Sequence, residues 1–273
     1  MKHLAKELIV LPNSKVKLAA IDPDGTHGID KAAAADQFEK NCKRLSLFQY
    51  LLYAESRRAF LVVLQGIDAG GKDGTIRHVM SGLNPQGVSV VPFKAPDGEE
   101  RRHDYLWRVH KAVPEYGKLG IFNRSHYEDV LIVRVHNLVP KAVWSKRYDQ
   151  INDFERMLTE SGVRIVKFLL YISKQEQAKR FRLRLEDKAK NWKFSPDDIK
   201  EREYWDQYIE AYDDVLRKCS TEAAPWYVIP ANRKWFRNLA VSQIMADALE
   251  DMDLKYPKPA ADLSSIHFDR TWI

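Results

Sequence analysis

"LVVLQGIDAGGKDGT", residues 61–75, carries an apolar run straight into a glycine-rich loop that closes on Lys72. Gly66, four residues, Gly71 and Lys72 satisfy the phosphate-loop pattern G-x-x-x-x-G-K-[ST] up to its last position, where Asp73 replaces the hydroxyl. In that pattern the loop amides and the lysine hold phosphate oxygens, while the hydroxyl sits on Mg²⁺. Gly66, Gly70 and Gly71 let the backbone curl so that successive N–H groups face one anion, and the next helix adds its N-terminal dipole. Ala69, Gly70, Gly71, Lys72, Asp73 and Gly74 thus form the expected phosphate cradle. An aspartate in such a cradle repels the ligand unless a cation lies between them. Asp68 is read as a Mg²⁺ ligand. Asp73 stays open between that role and capping the helix.

Outward from the loop, strands and helices alternate. "AFLVVLQ" (59–65) reads as a buried strand, and a helix runs from Lys72 to about residue 81. "VSVVPF" (88–93), "LGIFN" (119–123), "VRIVKFLLYI" (163–172) and "PWYVIP" (225–230) are further short runs rich in β-branched and aromatic residues. Helical patterns cover "HDYLWRVHKAV" and about 140–161, 174–187, 197–218 and 233 onward. Upstream, Phe38, Cys42, Leu45, Phe48 and Leu52 recur at spacings of three and four, which predicts a long helix after a weakly patterned arm over 1–28. This alternation predicts an α/β fold with a parallel sheet and helices on both faces, its ligands at the carboxyl ends of the strands. The expected organisation is an arm and helix over 1–58, a core over 59–255 with a lid over about 174–205, and a tail over 256–273.

Two further clusters carry chemistry. "FNRSHYEDV" (122–130) follows a strand at the place where phosphate-loop kinases put a second metal-binding carboxylate. Arg124 suits a bidentate grip on phosphate, and Glu128 suits a metal ion or the acceptor. The alternative is a strand end running into a solvated helix, with Glu128 paired to a nearby cation. Between residues 174 and 193, eight basic residues face three acidic ones, a local charge of +5 in a chain whose net charge is +6. On a helix Arg180 and Arg184 lie one turn apart. A charge run is usually a solvated face, but beside a phosphate loop it favours a basic lid that closes over phosphates. The histidines show no metal spacing, and the aromatic group around Trp192 and Trp205 is read as packing.

At 273 residues, 45% hydrophobic and 30% charged, the chain can bury a sizeable core. Its longest apolar run, "AFLVVL", is far short of the ~20 residues of a membrane helix. The first residues lack the apolar stretch of a secretory signal, and Cys42 and Cys219 lack metal-type spacing. A cytoplasmic protein with reduced thiols and no membrane association is expected.

Together "GIDAGGKDGTI", "FNRSHYEDV", "NWKFSPDDIKEREYWDQY" and "APWYVIPANRKW" closely resemble the family-2 polyphosphate kinases, in the right order from about residue 45 to 255. The resemblance implies a thymidylate-kinase-like P-loop core with a helical lid. It implies reversible phosphoryl transfer between inorganic polyphosphate and AMP or ADP, with Mg²⁺ (or Mn²⁺), by a homo-oligomer. Its implied site comprises Asp68 as metal ligand, Lys72 as loop lysine, Arg124 gripping phosphate, and Arg180, Arg184 and Lys193 as basic lid. Asn123, Arg124 and Glu128 would meet the nucleotide, with Asn123 and Glu128 sharing a second metal role. The "NRSHYED" wording resembles the class that accepts AMP as well as ADP. Two rival readings are an ATP-driven nucleoside-monophosphate kinase and a nucleic-acid-binding protein, the latter without any recognised binding motif.

Overall fold

A computed structural model describes residues 3–260, 262 and 263. Among them six strands form one sheet: β1 (Ile9–Val10), β2 (Ala59–Gln65), β3 (Val88–Pro92), β4 (Leu119–Asn123), β5 (Val163–Tyr171) and β6 (Trp226–Pro230). Their order is β1-β6-β5-β2-β4-β3. The strands β2 to β6 are parallel, as the alternation predicts, and β1 joins β6 antiparallel, an edge strand that the pattern of the arm does not announce. All seven residues of β2 are buried. Phe60, Val62 and Leu64 pack on one face of the sheet, and Ala59, Leu61 and Val63 on the other, the period of two expected for a central strand covered on both sides.

The helices are α1 (Leu4–Leu8), α2 (Lys31–Glu55), α3 (Lys72–Val79), α4 (Trp107–Ala112), α5 (Ile132–Val135), α6 (Lys141–Trp144), α7 (Arg147–Glu160), α8 (Lys174–Glu186), α9 (Pro196–Glu201), α10 (Trp205–Cys219) and α11 (Lys234–Glu250). The helices α2 and α11 pack against each other on the face that holds Phe60 and Val62, and α7 and α10 on the opposite face. Asp30 starts α2 by accepting the Ala32 N–H at 2.7 Å, an N-cap that satisfies one of the helix's orphan donors. The segment read as one helix over 140–161 is two, α6 and α7, separated at Ser145 and Lys146. The lid segment holds α8, α9 and short 3₁₀ turns. Most of the expected tail, from 264 onward, lies outside the described residues.

The topology positions the site. Because β4 and β5 both flank β2, the chain leaves in opposite directions from neighbouring strand ends, which opens a crevice at their carboxyl edge. In register, Leu64 stands beside Asn123 and Phe168. The loop after β2 and the segment after β4 therefore emerge side by side.

Candidate active site

Three left-handed backbone positions shape the loop: Ala69 (φ +61°), Gly71 (φ +106°) and Gly66 (φ +156°). Only glycine adopts such angles without cost. A Cβ at Gly66 would also meet the Leu170 carbonyl at 2.8 Å, so strand β5 closes on the loop there. Lys72 opens α3 and folds back to donate from Nζ to the Gly66 carbonyl at 2.6 Å. Burial, with Arg124 nearby, pushes its ammonium below the ordinary lysine value.

Behind the loop, α8 holds the backbone from below. Arg180 Nη1 donates to the carbonyls of Ala69 (2.9 Å) and Gly70 (3.0 Å), and Nη2 to those of Ala231 (2.6 Å) and Asn232 (3.1 Å). Its Nε donates to Glu176 at 2.8 Å, so all five N–H groups of this guanidinium have protein acceptors. Gln177 adds a donor to the Asp68 carbonyl at 2.9 Å. Tying down the loop carbonyls leaves the opposite, N–H side of those peptides for an anion. Arg180, expected as a lid arginine on phosphate, lines the cleft and also clamps the loop from below. Arg184, one turn later, lines the cleft and sits 3.4 Å from Asp198.

The residue after the loop lysine acquires a different role from the hydroxyl it replaces. Asp73 accepts from Asn123 Nδ2 at 2.9 Å and pairs with Lys193 at 3.3 Å. Burial alone would raise its carboxyl, but Asn123 and Lys193 hold it below the ordinary aspartate value. Asp73 thus links the loop, the end of β4 and the lid.

Just past β4, the Arg124 N–H still bonds to Leu64, and then the chain turns through a left-handed φ of +61°. That conformation is strained for a side-chain-bearing residue by about 1–2 kcal/mol, the kind of cost often found at functional positions. It aims the guanidinium at Asp68, where Nη2 donates to Oδ1 at 2.6 Å, with Glu128 3.9 Å from Nη1. Burial opposes its charge, yet Glu128 and Asp68 hold it above the ordinary arginine value. The segment is pinned from behind by a buried group: Lys167 pairs with Glu155, which also accepts from Tyr127 at 2.9 Å and contacts His126 at 3.1 Å.

Two clefts meet at Arg124. One, of about 820 Å³, runs along the loop and lid, lined by ten Lys and Arg side chains against two carboxylates, Asp68 and Asp73. The other, of about 1000 Å³, has walls from Ile132, Val133, Leu138, Val139 and Val143, with Glu128, Asp129, Arg108 and Arg147 among its polar groups. Asp129 accepts from Arg147 at 2.8 Å, and Arg147 lies over the Tyr105 ring, 4.6 Å from its centre. Burial pushes Asp129 up to about 6 despite that arginine.

The family model described as Polyphosphate kinase 2 matches residues 28–257. The chain belongs to the polyphosphate kinase 2 family. It is 52% identical over 256 residues to an AMP/ADP-polyphosphate phosphotransferase of Meiothermus ruber, covering 93% of this chain and 96% of the relative. An ADP-polyphosphate phosphotransferase of Rhodopseudomonas palustris is 49% identical over 228 residues, 79% of each chain. The crystal structure of Polyphosphate Kinase 2 from Arthrobacter aurescens TC1 superposes with a TM-score of 0.92 at 45% identity, over 96% of this chain and 94% of that one.

Family members typically use a divalent metal. Among the described residues no group of three or more His, Cys, Asp or Glu is placed to hold one. Magnesium needs only one or two carboxylates plus substrate phosphates, and Asp68 and Glu128, on either side of Arg124, are such a pair. The all-oxygen donor set fits. Cleft-lining cations that the sequence reading did not name include Lys94, which lines both clefts, and Lys234 and Arg237 of α11. Position was the signal for two of them: Lys94 and Lys234 follow the ends of β3 and β6 by two and four residues.

Proposed function

We propose that the protein transfers phosphoryl groups between inorganic polyphosphate and AMP or ADP, reversibly. The observation that carries the reading is the meeting of the two clefts at Arg124, one rich in cations for a polyanion and one apolar-walled for a nucleoside. Similarity to the Meiothermus ruber phosphotransferase supports the substrate pair.

The loop amides from Ala69 to Gly74, with Lys72, hold the end of the donor chain, and Arg184 and Lys193 flank its length. Arg124 grips the phosphoryl group between donor and acceptor. Asp68 and Glu128, with Asn123 beside them, would hold Mg²⁺ or Mn²⁺, which when bound offsets charge on the transferring group. Transfer of this kind rests on alignment and charge neutralisation rather than on a protein nucleophile. The reading includes a cytoplasmic homo-oligomer; no helix among the described residues is long and apolar enough to cross a membrane.

Incubation with polyphosphate, Mg²⁺ and AMP, following ADP and then ATP over time, tests the reading. A parallel reaction holds ATP as the sole donor. ADP and ATP formed from polyphosphate are expected; AMP phosphorylated from ATP alone overturns the proposal in favour of an ATP-driven kinase.

A further inference from the structure

Arg237 is a cation whose surroundings do not answer its charge. It lies on the first turns of α11 and is only 2% exposed. Its Nε and Nη2 donate to one neutral acceptor, Asn238 Oδ1, at 3.1 and 2.8 Å, and no described carboxylate pairs with it. Three other cations facing the loop are compensated: Arg124 by Asp68, Lys193 by Asp73, and Arg180 by Glu176 and four carbonyls.

The guanidinium rests on the loop itself. A Cβ at Gly71 would fall 2.1 Å from Arg237 Nη1, and one at Gly74 would fall 3.3 Å from Nη2. Those two glycines leave the space that the arginine fills, beside the N–H groups that open α3. Lys234, one turn earlier on α11, lines the same cleft. Burial and the neighbouring Arg180 push Arg237 down to about 10, and burial with both arginines lowers Lys234. The first turn of α11 contains no acid and its start has no side-chain cap, so these cations stand at the positive end of a helix dipole. A buried charge left unpaired is strongly destabilising, and here it faces a phosphate cradle.

We infer that Arg237 and Lys234 form an anion seat for the donor, binding a phosphate of a condensed phosphate chain other than the one transferred. Naming that chain as donor rests on the function proposed above; the seat itself rests on the geometry. It answers the charge of both side chains and of the helix terminus at once. It also gives the site a reason to prefer a chain of phosphates over a single one, because a chain can meet Arg124 and the α11 cations of the same cleft with different phosphates.

The test uses the full-length protein with Arg237→Gln and, at a more exposed position, Lys234→Gln, which keeps the test intact if the first variant does not fold. Thermal unfolding is followed against tripolyphosphate in metal-free buffer, and steady-state kinetics against polyphosphate and AMP separately. Tripolyphosphate should raise the wild-type melting temperature saturably, and each variant should lose half or more of that shift. KM for polyphosphate should rise about tenfold or more, the scale of one lost charge-assisted contact, while KM for AMP stays within about twofold. No shift in wild type, folded variants that respond like wild type, or equal changes in both KM values would overturn the seat. Tripolyphosphate binding that needs Arg237, in a protein that moves no phosphate from polyphosphate, would leave the seat standing and remove the proposed reaction.

Discussion

Arg124 Nη2 lies 2.6 Å from Asp68 Oδ1, so the strand-end arginine where the two clefts meet and the loop carboxylate are held by each other. Both side chains remain partly open to solvent, and such a pair contributes about 0–1 kcal/mol to folding. Its value is therefore in placement. Asp68→Asn should cut kcat by about a hundredfold or more, the scale of a lost electrostatic stabiliser, with a melting temperature near that of wild type. Lys72→Ala should lose activity on the same scale. Ordinary kinetics for either variant at saturating Mg²⁺ would remove that residue from the transfer site.

The two arginines of α8 should separate cleanly. Arg184 lines the cleft, and Arg184→Gln should raise KM for long polyphosphate several-fold, on the scale of a lost charge contact, with little change in stability. Arg180 supports four backbone carbonyls, and leaving buried acceptors unpaired costs about 1–3 kcal/mol each. Arg180→Gln should therefore lower the melting temperature markedly and impair binding of every phosphate ligand through the loop. Equal stability losses in both variants would show that the split is not real.

That division was hidden from the sequence, where both arginines sit in one basic run. The loop and the parallel strands were legible because each is written in a few consecutive residues: glycines at fixed offsets, or an uninterrupted apolar run such as 59–65. Features set by distant partners were not. Strand β1 is two residues long and exists through pairing with Tyr227 and Trp226. The buried line of α2 includes Asn41 and Gln49, which an apolar count skips; Asn41 is satisfied by donating to Ser242 across the α2–α11 seam at 3.2 Å. Arg237 matters because it touches Gly71, a contact that no local pattern encodes.

Asp129 should give the cleft beyond Arg124 a pH dependence. Its carboxyl is raised by burial from an ordinary 3.8 to about 6. Between those values the folded chain holds a proton that the unfolded chain has released, so Asp129 makes stability fall as pH rises from 3.8 to about 6. Asp129→Asn should remove that fall and flatten the change in KM for AMP across the same window. Denaturant unfolding and AMP kinetics at several pH values check both; a slope that persists in the variant would assign it to another group.

Lys167 and Glu155 pair out of reach of solvent behind the segment that bears Arg124 and Glu128. Removing one partner of a buried pair costs about 3–5 kcal/mol, so Lys167→Met should shift the urea midpoint strongly. Adding Glu155→Leu should recover part of the loss. Burial alone would raise Glu155, but Lys167 and His126 hold it below its ordinary 4.5. Its contribution to stability is therefore present above that pH and lost as the pH falls through the lower folded value.

Glu128 should set the choice between AMP and ADP. AMP presents one phosphate where ADP presents two, so its reacting oxygen lies closer to the nucleoside. A site that serves both must bring charge deeper into the acceptor cleft for the shorter substrate. Glu128 lines that cleft and stands 3.9 Å from Arg124 Nη1. In the proposed reading its carboxylate orients Arg124 and would hold a cation over a single phosphate. Glu128→Asn keeps a polar side chain while removing the charge, and should lower the AMP-to-ADP ratio of kcat/KM by about tenfold, one charge-assisted interaction. KM for polyphosphate should change little, because the donor cleft lies on the other side of the arginine. Both acceptors are measured with wild type and variant under one set of conditions, with melting temperatures recorded alongside. An unchanged ratio in a folded variant would show that another residue discriminates between the acceptors, and a wild type inert toward AMP would confine this cleft to the diphosphate.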